Sequence, residues 1–212
     1  MRAGVKDYIL NCVKCLAYSV PTGRTEGKLH IYNKGTRPFE TLHIDHYGPL
    51  EKVGYGYKHI FIVIDACTKY VIIYPVKSTA TKEVIACLKE YFRHFGVCKR
   101  IVSDRGSSLV SDEFANYLKP LNVEHVKVAT ASPQSNGQVE RVNRFLRFIL
   151  SKLSSEGKWT DFMAKSQFSV NNTTHKAIGT TSSLLLFGSD QYGFTDDNLR
   201  EYTILYSIQF RI

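Results

Sequence analysis

A chain of 212 residues, 43% hydrophobic and 22% charged, is long enough to bury one ordinary core and too apolar to be disordered. Its net charge of +9 suits either a polyanionic partner such as nucleic acid, held through phosphate contacts and counterion release, or simply a soluble basic protein, and charge by itself does not choose between them. No apolar run approaches a membrane span, and Lys6, Asp7 and Lys14 break any signal-peptide core, so an intracellular protein with no membrane partner is expected.

Cysteine usage agrees with that compartment: Cys12, Cys15, Cys67, Cys87 and Cys98 make an odd count. The last three read as reduced thiols, with Cys87 and Cys98 in or near the core. The charge is also uneven. Residues 131–189 hold seven Lys/Arg against three acids, whereas 190–212 hold two against four.

In chain order, residues 21–38 carry Pro21, Gly23, Gly27, Gly35 and Pro38 and read as an extended linker. Leu42–Tyr47 is a short strand closed by Gly48-Pro49. Tyr57–Asp65 and Lys69–Val76 are β-rich runs joined by a turn at Ala66-Cys67-Thr68. The run Ile60-Phe61-Ile62-Val63-Ile64 does not alternate, as expected of a strand buried on both faces. Thr81–Phe95 switches to a helical period, with Val84, Ile85, Leu88, Tyr91, Phe92 and Phe95 on one stripe and Gly96 as the stop.

Arg100–Ser103 is predicted to be a strand that delivers Asp104 at its end. Asp112–Leu118 reads as a helix ended before Pro120, and Val123–Val128 as a further strand. Ser132 and Pro133 suit the start of a long helix with the stripe Val139, Val142, Leu146, Ile149 and Leu153. On it, Glu140, Arg144, Arg147 and Ser151 share another face. A last helix is expected around Trp159–Asn171. Together these elements describe an α/β fold with a mixed sheet flanked by helices, in which Asp45 and Asp104 meet at neighbouring strand ends.

Asp104 and Glu140 stand with 35 residues between them (105 to 139), and Asp45 lies upstream. Among 19 acids such a spacing is weak evidence by itself. Three carboxylates converging from two strands and a helix would nevertheless suit two divalent ions, Mg²⁺ or Mn²⁺, which take hard oxygen ligands and serve phosphoryl transfer. Asp65 competes for attention, but Asp-x-x-Thr-Lys at 65–69 is expected to brace its turn through backbone hydrogen bonds.

The motifs His43-Ile44-Asp45-x-x-Gly48-Pro49, Ser103-Asp104-Arg105-Gly106 and Ser132-Pro133-Gln134-Ser135-x-Gly137-x-x-Glu140-x-x-Asn143 resemble the catalytic core of retroviral and gypsy-type LTR-retrotransposon integrases. Asn171-Asn172-Thr173-Thr174-His175 and Leu186-Phe187-Gly188 continue the resemblance in the same order. It implies a ribonuclease H-like mixed five-stranded sheet, and Asp45, Asp104 and Glu140 as metal-binding catalytic residues. It further implies an integrase-type polynucleotidyl transferase, in which water or a DNA 3′-hydroxyl attacks a phosphodiester. Gln134, Ser135, Asn136, Asn143, Arg144 and Arg147 would contact DNA, both element ends and target. A homodimer or higher oligomer acting in the nucleus is implied as well.

On this reading residues 1–20 are the remnant of a zinc-binding type of N-terminal domain, 21–38 a linker, 39–190 the catalytic core and 191–212 an unassigned tail. Cys12-x-x-Cys15 supplies half a tetrahedral zinc site; with no histidine before it, and His30 without a match in the family, zinc is not expected. Ser183 stands where the family usually has proline, and no basic barrel or chromodomain is expected after Gly193. Two alternatives stay open. One is a ribonuclease H-like nuclease using Glu83 or Glu90 on the helix after the third strand. The other is a transposon-derived DNA-binding protein without activity.

Overall fold

A computed structural model describes residues 36–128, 142–147, 158–175, 177–189 and 191–193. These fall into two compact units, one running up to Asn143 and the other starting at Arg144.

The first unit is a five-stranded sheet with helices. Its strands are β1 (Thr41–Tyr47), β2 (His59–Asp65), β3 (Val71–Val76), β4 (Arg100–Ser103) and β5 (Glu124–Lys127), in the order β3-β2-β1-β4-β5. The β1–β2 and β2–β3 pairs are antiparallel, while β1–β4 and β4–β5 are parallel. Helix α1 (Thr81–Phe95) connects β3 to β4, and α2 (Asp112–Leu118), extended by a 3₁₀ turn Lys119–Leu121, connects β4 to β5. This is the mixed sheet with flanking helices that the sequence predicts.

Burial explains the order. The predicted non-alternating run, Ile60 to Ile64, is buried throughout, so β2 sits inside the sheet with both faces covered. Leu42, Ile44, Phe61, Val63, Ile101, Val84, Leu88, Tyr91 and Phe114 form one continuous core with Leu118 and Val123. Each such side chain contributes about 1.5–3 kcal/mol when removed from water. Helix α1 supplies Val84, Leu88 and Tyr91 to it, while Ile85, Phe92 and Phe95 pack at its margin. Ser111 starts α2, its hydroxyl accepting from the Phe114 N–H at 3.3 Å.

Two strands start two residues later than predicted, for local reasons. Tyr57 bridges back to Val53 before β2 begins, and Lys69 adopts a positive φ of 66°, which ends extended pairing until Val71. The predicted role of Asp65 matches its surroundings. It is buried, Oδ1 accepts from the Phe39 N–H (2.8 Å), and Oδ2 accepts from the Thr68 N–H (2.8 Å) and hydroxyl (2.7 Å).

In the second unit, a 3₁₀ turn Trp159–Phe162 precedes α3 (Met163–Asn171), so the predicted single helix is two pieces. The hairpin β6 (Thr174–His175) and β7 (Thr180–Thr181) leads into α4 (Ser182–Phe187). The Asn171–His175 motif closes α3: Asn172 Nδ2 donates to the Phe168 carbonyl (2.9 Å) and the Thr173 hydroxyl to that of Ser169 (2.7 Å). Ser183, in the first turn of α4, donates to Gln191 Oε1 at 3.0 Å. Its backbone N–H needs no helical partner there, so serine and proline are both compatible with the position.

Candidate active site

Alternation along β1 sends Leu42 and Ile44 into the helix-side core and Asp45 to the other face. The parallel pairing with β4 runs Thr41–Arg100, Leu42–Ile101 and His43–Val102, a constant offset of 59. Carried two steps further, that offset sets Asp104 beside Asp45. The pairing itself ends at His43–Val102 and β4 at Ser103, and the charge of Asp104 acts on the Asp45 carboxyl, so the two lie near each other past the paired residues.

Asp45 is half-buried, and its carboxyl is pushed above the ordinary carboxylate pKa. Burial is the main cause, the charge of Asp104 adds to it, and hydrogen bonds from the His46 N–H and Asn143 pull it back. The bonds are specific: Oδ1 accepts from the His46 N–H at 2.7 Å, and Oδ2 from Asn143 Nδ2 at 3.1 Å. Each carboxylate oxygen keeps one lone-pair position in reserve. Asn143 Oδ1 is buried with no hydrogen-bond partner among the described residues, a second oxygen close to Asp45 with acceptor capacity unused.

Asp104 is held by its own turn, Oδ1 accepting from the Gly106 N–H at 3.0 Å. A Cβ at position 106 would stand 3.1 Å from that oxygen, so the glycine lets the chain fold tightly under the carboxylate. Gly48, after β1, has a φ of +137°, and a Cβ there would come within 2.9 Å of the Lys58 carbonyl and of His59 Nδ1. Gly106 thus sits against an aspartate carboxylate, and Gly48 against the backbone that enters β2.

His46 is the residue next to the site that sequence reasoning passed over. It packs on Phe61 with ring centroids 5.1 Å apart, and burial lowers its pKa to about 4, with His59 adding and the charges of Asp104 and Glu83 opposing. Its ring is neutral at physiological pH.

Of the predicted site residues, the structure brings together Asp45, Asp104 and Asn143. Arg144 and Arg147 are exposed residues of the second unit. Glu140, Gln134, Ser135, Asn136, Cys12 and Cys15 lie outside the described residues, as does most of the tail. Among the described residues no three His, Cys, Asp or Glu side chains gather as a metal site. The two aspartates, Asp45 with a lone pair free on each oxygen and its ionisation opposed by burial and by the charge of Asp104, are the donor chemistry that a hard divalent cation satisfies. Glu83 and Glu90 are engaged locally. Glu83 accepts from the Lys77 N–H (2.7 Å) and the Ser78 hydroxyl (3.1 Å), and Glu90 pairs with Arg93 at the surface.

Comparison with known proteins supplies the family. The integrase core domain model matches residues 35–133, and the Pro-Pol polyprotein of feline foamy virus is 34% identical over 157 residues, 73% of this chain. The chain belongs to the integrase core family. It spans only 13% of that polyprotein's length. Among solved structures, the simian T-cell lymphotropic virus intasome has a chain that superposes on this integrase core with a TM-score of 0.64 at 19% identity, covering 92% of this chain and 70% of that one. The catalytic core domain of BIV integrase gives 0.58 at 17% identity, covering 71% of this chain and 95% of that one. These likenesses establish a ribonuclease H-like fold. The family is one of enzymes of polynucleotidyl transfer that generally use divalent metals. No described helix is long and apolar enough to cross a membrane.

Proposed function

We propose that this integrase core performs metal-dependent phosphodiester transfer on DNA, with Asp45, Asp104 and Glu140 holding two divalent ions, Mg²⁺ or Mn²⁺. The observation that carries the reading is the register of β1 and β4, which sets Asp45 and Asp104 side by side while Asn143 grips Asp45. Glu140 precedes Asn143 by three residues, the spacing that puts two helical side chains on one face. On this proposal Glu140 is the third carboxylate of the set.

When bound, such ions activate the attacking oxygen and stabilise the leaving one in an in-line displacement. The chain's own residues hold the ligands for that chemistry. The His46 N–H and Asn143 amide fix the two oxygens of Asp45, and the Gly106 N–H fixes one of Asp104. The hydrogen bonds also favour the ionised, metal-binding form of Asp45 against the burial that opposes it. One P–O bond forms from water or a DNA 3′-hydroxyl as another breaks, with no covalent protein intermediate.

DNA is the proposed partner, both the element's ends and its target. Gln134, Ser135, Asn136, Asn143, Arg144 and Arg147 contact it, as a chain of net charge +9 favours. We assign residues 39–190 to the catalytic core, 21–38 to a linker and 1–20 to a segment of zinc-binding domain type, the chain acting as a dimer or larger assembly in the nucleus.

Given Mg²⁺ or Mn²⁺, the purified chain is expected to join short DNA ends or to reverse joining on a branched substrate. Asp104→Asn removes this activity and leaves the fold. Activity without metal, or full activity in that variant, contradicts the mechanism.

A further inference from the structure

The side of the sheet opposite the two carboxylates carries a contact to which the proposed chemistry gives no role. Ser103, the last residue of β4, makes a hydrogen bond to His125 Nε2 at 2.8 Å and donates to the Asp104 carbonyl at 2.8 Å. A hydroxyl has a single proton. If it goes to the Asp104 carbonyl, which can only accept, Ser103 Oγ must accept at its other contact, and His125 must present Nε2–H.

The ring of His125 is fixed in place beside Ser103. Its ring meets Phe114, a fully buried core residue, edge to face at 5.1 Å. Burial lowers its pKa to about 4, the nearby charge of Lys127 adding to this, so the ring carries one N–H at working pH. The β4–β5 register, with Ile101 opposite His125, puts Ser103 and His125 on the same face, the one that packs against α2. The Ser103 carbonyl is tied as well, accepting from the Val128 N–H at 2.9 Å.

We infer that Ser103 and His125 are positioning residues for Asp104: the chain core–His125–Ser103 anchors the Asp104 main chain from beneath while its carboxylate faces the metal side. The Gly106 N–H holds the carboxylate from above, so the aspartate is gripped at both ends. Ligand groups oriented in this way bind metal better because less ordering is left to be done on binding. The inference rests on the proposed metal-holding role of Asp104.

The test is Mn²⁺ binding to the full chain, followed by enhancement of water proton relaxation. Ser103→Ala and His125→Leu remove the bonds; Ser103→Thr and His125→Gln keep an equivalent hydroxyl and an N–H donor. The first pair is expected to weaken Mn²⁺ binding about tenfold, and the second pair to stay within about twofold of the unaltered chain. The melting temperature in EDTA reads the purely structural effect and should not follow the Mn²⁺ ranking. Unchanged Mn²⁺ affinity in Ser103→Ala, or equal losses in Ser103→Thr and Ser103→Ala, overturns the inference alone. The same holds for His125→Gln against His125→Leu, and the milder member of each pair decides if the other fails to fold. An unaltered chain that binds no Mn²⁺ overturns the metal reading and this inference together.

Discussion

Replacing Asp65 by asparagine separates structural from chemical aspartates in this chain. Asp65 is 1% exposed and accepts three hydrogen bonds, from the N–H of Phe39 and from the N–H and hydroxyl of Thr68. Asparagine offers one accepting oxygen. If it faces Thr68, the new NH₂ group confronts the Phe39 N–H; if it faces Phe39, the NH₂ confronts the Thr68 N–H. Either way at least one donor loses its partner in a buried place, and a charge-assisted bond becomes neutral. Together these cost about 2–3 kcal/mol. For a chain of this size that lowers Tm by about 4–12 °C, measured by calorimetry at pH 7. The folded variant should keep metal-dependent joining below its lowered Tm. A variant with unchanged Tm and no activity would refute the assignment of Asp65 to the turn and move it into the chemistry.

Asp104→Asn should behave in the opposite way. Its oxygen still accepts from the Gly106 N–H, so Tm should stay within about 3 °C, while the rate of DNA joining falls by about a thousandfold or more. Asn143→Ala removes a bond that lowers the Asp45 pKa, so Asp45 ionises at higher pH and the acid limb of the metal-dependent rate profile should move upward; a limb that stays put or moves down contradicts the contact. His125 bears on stability as well. Its folded pKa, about 4, lies below the unfolded value near 6.5, so its contribution is fully present above about pH 6.5 and is lost as pH falls towards 4. Denaturant titrations between pH 7 and pH 4.5 should show that loss in the unaltered chain and a shallower one in His125→Gln; equal slopes would count against a buried neutral ring.

Local pattern made much of the fold readable. The Thr81–Phe95 helix has a clean stripe and a glycine stop, Asp112–Leu118 ends before Pro120, and the run Ile60 to Ile64 declared its own burial. Strand order was less accessible, because β1 finds its parallel neighbour β4 only after a hairpin and a helix intervene. The sequence leads to Asp45 and Asp104 meeting at neighbouring strand ends, but the register that aligns them is non-local and is seen only in the folded sheet. The Ser103–His125 contact was hidden for the same reason: it joins two strands with α2 between them, and neither residue stands out in a linear reading. Where local conformation overrode propensity, as at Lys69 with its positive φ, the predicted strand start was two residues early.

The claim that Asp45 and Asp104 are metal ligands is tested most directly by anomalous scattering from crystals of the chain grown with Mn²⁺. The account predicts a Mn²⁺ peak within bonding distance of both carboxylates, about 2.0–2.3 Å from an oxygen of each, with Glu140 completing the site, and no such peak in Asp104→Asn. Mn²⁺ bound elsewhere, or an undiminished peak in Asp104→Asn, would contradict it.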